Sequence, residues 1–420
     1  MLNYSEGDAI SKGCGPLLLR NRATSAPLRQ QIFQHVRARG RTARAEITRA
    51  LEISAGSATT QTADLIAAGI LREVDEPSRE LGRGRPRVSL EVVPEAAYVI
   101  GIKLSFNKHS AVLSDFAGNI ITTETLPTTA PRRSAAQLLE EIARLIDKLI
   151  QKVNMEAQDI KAVGIGLPGI VDQDSGTIRW CSLLKDTNVD LHTGFRERFN
   201  APLLLDNDTN MLTLSELWFG AGRDKRDFAV VTIEAGVGMG LVVDNRLYRG
   251  THGLGLELGH TKVQLDGALC RCGQRGCLEA YLGDYALTRE AETALDVGRL
   301  DENSPKALLD LLFEQAQAGH TAAETIFRRA GRYLSLGLAN VVQLFDPPLI
   351  ILSGERVQCH YLYAEEVLAE MRKLTLSNGR QPCEIQIHPW DDLIWARGAT
   401  AAGLSALTDR MVGGLEVQSL

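Results

Sequence analysis

The chain has 420 residues, 44% hydrophobic and 23% charged, the balance of a soluble globular protein too long for one ordinary core, so two or three domains are expected. No apolar run reaches bilayer length, the N-terminus carries no charged-then-apolar signal pattern, and seven cysteines are too few and too odd for a secreted disulfide scaffold; the expectation is a cytoplasmic protein with reduced thiols and no membrane contact. The net charge of −6 is uneven: residues 1–93 carry +4, from fourteen basic side chains (all but one arginine) against ten acidic, and the remainder −10, so the first quarter is suited to meeting a polyanion.

Residues 1–24 lack apolar periodicity and read as a flexible tail. "PLRQQIFQHVRARG" (27–40) reads as a helix, with Leu28, Ile32 and Val36 four apart, Pro27 in the first turn and Gly40 at the end. A second short helix follows over 42–51. A third spans 53–71, with Ser54 as its cap and Gly69 as its stop. "LREVDEPSRELGRGRPRVSLEVV" (71–93) then reads as two strands, near 71–74 and 87–92, around an Arg-Gly tip. Three helices and a ribbon make 25–93 a winged helix-turn-helix.

From Tyr98 the pattern changes to short apolar runs broken by turn residues. An amphipathic helix is expected over 134–153 and a buried strand running into a Gly-Pro loop over 160–172. Residues 201–220 read as strand, polar turn and helix, 228–250 as two strands around a Gly-rich bend, and 331–355 as helix, Pro-Pro turn and strand. Strands alternating with helices, twice over, predict a two-lobed α/β body. Its first lobe is set at 94–208 and its second at 209–405, with the C-terminal segment returning to the first lobe and 406–420 as a tail.

One cluster stands out. His260, Cys270, Cys272 and Cys277 lie within eighteen residues, three thiols and an imidazole framed by Gly273 and Gly276. Cys-x-Cys cannot readily close an unstrained disulfide, but both sulfurs can face one metal. Four protein donors form the closed set of a structural zinc site.

"ELGH" followed by "CRCGQRGCLE", together with "GIGLPGIVD" and "DNDTN" in that order, resembles the ROK family of sugar-responsive repressors, open reading frames and sugar kinases. The resemblance runs from about Leu28 to Leu404. It implies an actin-like, hexokinase-type (ribonuclease H-like) fold with a sugar cleft between two lobes, a bound zinc, and a homodimer or homotetramer. By the same resemblance Asn207, Asp208, Glu257, His260 and Glu279 would meet the sugar hydroxyls. Gly255-Leu256 stands where the family usually has Ala-Gly before Glu257.

The family holds kinases and repressors, and the residues discriminate between them. Asp208 matches the catalytic aspartate of the kinases, where a carboxylate accepts the proton of the sugar hydroxyl. The phosphate side is altered. In "GIKLSFNKHS", Lys103, Ser105 and Asn107 stand where kinases have Asp, Gly and Thr; in "EAGVGMG", Ala235 stands where they usually have Thr, while Gly236, Gly238 and Gly240 remain. A cation in place of a carboxylate near magnesium reverses the local charge, and a side chain in place of glycine blocks a phosphate from the backbone.

The first ninety residues resemble the winged helix-turn-helix of the repressor branch. Its third helix belongs in the major groove of operator DNA, presenting Ser57, Thr59 and Thr60. Arg83 and Arg85 at the wing tip would enter a narrow minor groove. The expectation is a sugar-released transcriptional repressor without enzymatic activity. A sugar kinase that also binds DNA and a regulator controlled by a partner protein are the competing readings.

Overall fold

The computed structural model describes residues 13–17, 26–75, 88–128, 130–172, 175–295, 305–354, 365–376, 378–388 and 391–414. Three helices, α1 (Leu28–Arg39), α2 (Arg44–Leu51) and α3 (Ala55–Ala67), bury Ile32, Phe33, Val36, Ile47 and Leu65. α3 begins where Ser54 Oγ accepts the Ser57 N–H at 3.0 Å. It ends before Gly69, whose φ of +70° is left-handed. A strand that the sequence does not announce, β1 (Arg41–Ala43), pairs with β3 (Val88–Val92), which also pairs with β2 (Leu71–Asp75). Three residues are too few for a period to show. The ribbon tip with Arg83 and Arg85 lies outside the described residues.

The first lobe is a five-stranded sheet in the order β10-β7-β4-β5-β6. Its strands are β4 (Tyr98–Lys103), β5 (Lys108–Asp115), β6 (Ile120–Pro127), β7 (Ile160–Leu167) and β10 (Leu203–Asn207). α4 (Ala135–Lys152) covers it with one apolar face, and a small hairpin of β8 (Gly169–Val171) and β9 (Ile178–Cys181) and the short α5 (His192–Arg196) complete the lobe.

The second lobe repeats the plan as β15-β14-β11-β12-β13. Its strands are β11 (Phe228–Ile233), β12 (Val237–Val243), β13 (Arg246–Tyr248), β14 (Leu349–Ser353) and β15 (Glu384–Ile387). In each sheet an antiparallel meander of three strands gains two parallel strands on its other side. α7 (Glu279–Leu282), α8 (Asp284–Ala294), α9 (Pro305–Gln317), α10 (Thr321–Phe345) and α11 (Glu365–Leu374) belong to this lobe.

Two helices join the lobes. α6 (Asp208–Phe219) packs on β11 and β12, and α12 (Asp392–Met411) packs on α6 and on β4, β5 and β7. The approach is backbone to backbone: a Cβ on Gly101 would lie 2.0 Å from the Ala396 carbonyl oxygen. α12 extends the fold past the expected boundary at 405, because Leu407 and Val412 are buried and Asp409 accepts the Gln30 amide at 2.6 Å. The apolar core runs without a break from α1 through α12 to β11 and β14.

Residues 13–17, read as part of a tail, lie in this seam. The Cys14 N–H donates to the Arg37 carbonyl at 3.0 Å, Gly15 to Trp218 at 2.8 Å and Leu17 to Arg223 at 2.8 Å. These are backbone hydrogen bonds, which leave no side-chain pattern to read. Among the described residues no helix is long and apolar enough to cross a membrane.

Candidate functional site

The metal corner is built from two stretches of the second lobe. A short 3-10 turn, Leu258–His260, presents the imidazole, and the loop before α7 presents the three thiols. Backbone bonds close that loop: Cys270 N–H donates to Gln274 O at 2.8 Å, and Gly276 N–H to Ala268 O at 2.9 Å. The ligand atoms of His260, Cys270, Cys272 and Cys277 all lie within 4.8 Å of one another. Cys272 Sγ is 3.7 Å from Cys277 Sγ, and Cys270 Sγ is 3.7 Å from His260 Nδ1. Sulfurs bound to one zinc at ~2.3 Å in a tetrahedron stand about 3.8 Å apart, so the set could hold a metal ion. Lys262 Nζ donates to Cys277 Sγ at 2.9 Å, and Tyr285 OH to Cys270 Sγ at 3.4 Å.

This corner is joined to the cleft. His260 presents Nδ1 to the thiols, while its Nε2 lies 4.0 Å from Glu257 Oε2. Glu279, two residues past Cys277, accepts the Val237 N–H at 3.2 Å. About half of the Glu257 side chain meets solvent, yet its carboxyl is pushed above the usual range. Burial is the largest cause; His260 opposes it, and the charges of Glu279 and Asp208 add to it. Three carboxylates thus converge within reach of each other's fields.

Asp208 opens α6 and is likewise raised by burial, with Lys103 pulling it back. Lys103 is buried at the end of β4, its Nζ 4.0 Å from the centroid of Trp395 on α12. Asn207 is committed twice: its Oδ1 caps α6 by accepting the Thr209 N–H at 2.8 Å, and its Nδ2 donates to the Gly169 carbonyl at 3.0 Å.

Asp206 is a member of this site that the sequence reading passed over. Its carboxylate accepts Asn207 N–H at 2.8 Å and Asn210 Nδ2 at 2.7 Å, and pairs with Arg249 Nε at 2.6 Å. Arg249 begins the second-lobe loop that leads to Glu257, so this pair bridges the two lobes. In the sequence only its place in the polar run of "LDNDTN" pointed to it. Leu256 has φ +68°, the left-handed region that glycine favours. The departure noted from sequence therefore places backbone strain directly before Glu257.

A family model for the ROK family matches residues 99–403. The chain belongs to the ROK family. It is 29% identical over 329 residues, 77% of this chain and 82% of the relative, to a xylose repressor from Caldicellulosiruptor bescii. The fold is similar to that of a ROK family transcriptional regulator, a homolog of the E. coli MLC protein, with a TM-score of 0.76 at 23% identity over 91% of this chain and 96% of that one. A ROK hexokinase from Thermus thermophilus is 28% identical with a TM-score of 0.63, covering 74% of this chain and 99% of its own. The ROK body is therefore two-lobed and hexokinase-like, as expected.

The β4–β5 and β11–β12 hairpins are held in different ways. In the β4–β5 turn the Ser105 N–H donates to His109 Nδ1 at 3.3 Å and its hydroxyl to the Lys108 carbonyl at 2.5 Å. The turn is closed on itself, and Asn107 is exposed. In the β11–β12 turn Ala235 is exposed. The glycines there face protein: a Cβ on Gly238 would lie 2.3 Å from Thr209 Oγ1, and one on Gly240 1.9 Å from Thr213 Oγ1.

On the helix-turn-helix, Ser57, Thr59 and Thr60 are exposed along the N-terminal half of α3 beside Ala55 and Gly56, a surface of small residues. The Thr59 hydroxyl bonds to the Ala55 carbonyl at 2.9 Å, and that of Ser57 lies 2.9 Å from Ser54 Oγ.

Proposed function

We infer that this ROK chain is a sugar-responsive, DNA-binding transcriptional regulator, a repressor released from its operator by a sugar or sugar derivative. The observation that carries the reading is the union of a complete two-lobed body with a helix-turn-helix through one unbroken apolar core. A cleft movement can reach the DNA-binding helices through α12, whose end touches α1. The similarity to a xylose repressor supports it. The sugar would sit between Asn207 and Asp208 on one side and Glu257, His260 and Glu279 on the other. Carboxylates there would accept pairs of hydroxyl bonds. Ser57, Thr59 and Thr60, with Arg83 and Arg85, would face the DNA. The reading places the protein in the cytoplasm as a homodimer or homotetramer, since two-fold operators favour paired helices.

The competing reading is a sugar kinase, supported by the similarity to a hexokinase and by Asp208. The β4–β5 turn weighs against it. Lys103 puts a cation where magnesium would bind, and the Ser105 N–H is spent on His109 rather than offered to a phosphate. Zinc held by His260, Cys270, Cys272 and Cys277 would be structural, fixing the loop that carries Glu279 and the imidazole that faces Glu257. Metal analysis should return one zinc per chain.

The deciding experiment is a thermal-shift screen against a sugar panel, followed by operator titration with the sugar that binds. The expected result is a raised melting point and operator affinity weakened roughly 5- to 150-fold, the usual range of allosteric coupling. ADP release near ~1 per second or faster with any common hexose, the low end for kinases, would overturn the regulator-only reading.

A further inference from the structure

The seam between the helix-turn-helix and the body holds a cavity of about 680 Å³. This is within the size range of small-molecule sites. It is far from the sugar cleft in the chain's architecture: its walls are the end of α1, the body-side ends of the β1-β3-β2 sheet, the β5–β6 turn and one residue of α12. Four arginines line it, Arg37, Arg41, Arg72 and Arg397, against the single carboxylate of Glu91.

That carboxylate is already used. Glu91 Oε2 accepts Arg41 Nε and Oε1 accepts Arg72 Nε, each at 2.8 Å. Other acids nearby are also spoken for: Glu95 Oε2 lies 3.7 Å from a terminal nitrogen of Arg72. Asp115 accepts the Asn119 N–H and Nδ2, both at 2.9 Å, and Asp409 accepts Gln30. Arg37 and Arg397 therefore carry the surplus charge. Arg37 is 3% exposed and lies over the rings of Phe33 and Trp218. One of its terminal nitrogens donates to Thr408 Oγ1 at 2.8 Å. Its Nε is buried without a hydrogen-bond partner, and so is the Nε of Arg397, which stacks on Phe219 at 4.0 Å. Burial disfavours the charged form of both guanidiniums, but arginine does not give up its proton in proteins. Four guanidiniums against one carboxylate around a ligand-sized space match the charge of an oxyanion.

The cavity is not the DNA face. It meets β2 and β3 at Arg72 and Val92, the ends opposite the wing tip. The N-terminal turn of α3 lies a helix length of about 20 Å from the start of β2.

We propose that this seam is a second effector site, one that binds a small organic phosphate between the DNA-binding domain and the body. Arg37 and Arg397 meet the phosphate oxygens, Arg41 and Arg72 stand at the rim, and the ligand braces the angle between the two parts.

Pyrophosphate and inorganic phosphate, titrated calorimetrically into the full chain at an ionic strength held constant with potassium chloride, are the probes. The expected result is saturable binding of one anion per chain at up to millimolar concentration. Arg397→Gln should weaken it about tenfold, the loss of one charge-assisted bond. Arg41→Gln, at the exposed rim and outside the apolar core, should weaken it a few-fold and guards against a folding artefact in the first variant. Absence of saturable binding by the parent overturns the proposal, as does parent-like binding by both variants. Binding abolished by Lys103→Gln but kept in Arg397→Gln would place the anion in the cleft and overturn the seam assignment.

Discussion

The β4–β5 turn and the β11–β12 turn occupy the same place in two sheets of one strand plan, yet they are held by different physics. The first is locked by polar groups. Ser105 bonds inward to His109, whose Nε2 lies 2.9 Å from Glu141 Oε2; Arg133 Nε donates to the same oxygen at 2.5 Å. All three of those partners are buried. The second turn is locked by the absence of side chains, because α6 and Glu279 press on Gly236, Gly238 and Gly240. The packing of α6 by itself requires glycine there, whether or not a phosphate is handled.

The comparison breaks most sharply on Gly240→Ala. Thr213 is buried and β-branched and cannot swing away, so overpacking should cost about 2–3 kcal/mol, read as a lower denaturant midpoint. A cost near zero would mean that the glycines are not held by α6. His109→Asn comes next, at about 1–3 kcal/mol, because it removes one of the two partners of the buried Glu141 Oε2 and strands the Ser105 N–H. Burial lowers the pKa of His109; Glu141 raises it in part, and Arg133 lowers it further. With the folded pKa depressed, this contribution is full above the unfolded value of ~6.5 and is lost as pH falls from there through the folded value. The gap in melting temperature between parent and variant should therefore narrow on acidification.

The second lobe supplies the opposite slope. Burial would lower His388, but its hydrogen bond to Glu216 at 2.8 Å and the Glu216 charge leave it raised. Its contribution is full below ~6.5 and lost as pH rises through the folded value. His388→Asn should cost about 1 kcal/mol at acid pH and less at alkaline pH. An equal loss at both ends would remove the contrast. The smallest effect belongs to Ser105→Gly, about 0.5 kcal/mol for one half-exposed hydrogen bond. A loss as large as that of Gly240→Ala would show that the two turns are equally constrained.

The same division explains what could be read before the structure. Helix α1 was legible from Leu28, Ile32 and Val36, and the start of α3 from Ser54, because periodicity and capping are local. The four donors that could hold a metal ion were legible because they fall within eighteen residues, and the structure draws their atoms together. The strap at 13–17, the short β1, the Asp206–Arg249 pair and the reach of α12 past residue 405 were not legible. Each depends on a partner tens to hundreds of residues away, and backbone hydrogen bonds carry no side-chain signature.

By itself the sequence determined the family, the α/β class and the four residues that could hold a metal ion, since all of these are written in local spacing and motif. Only the tertiary structure decided that Leu256 is strained beside Glu257, that Lys103 lies near both Asp208 and Trp395, and that Arg37 and Arg397 line a common cavity. Charge and strain at those positions come from groups that chain folding brings together, and no stretch of sequence contains both sides of such a contact.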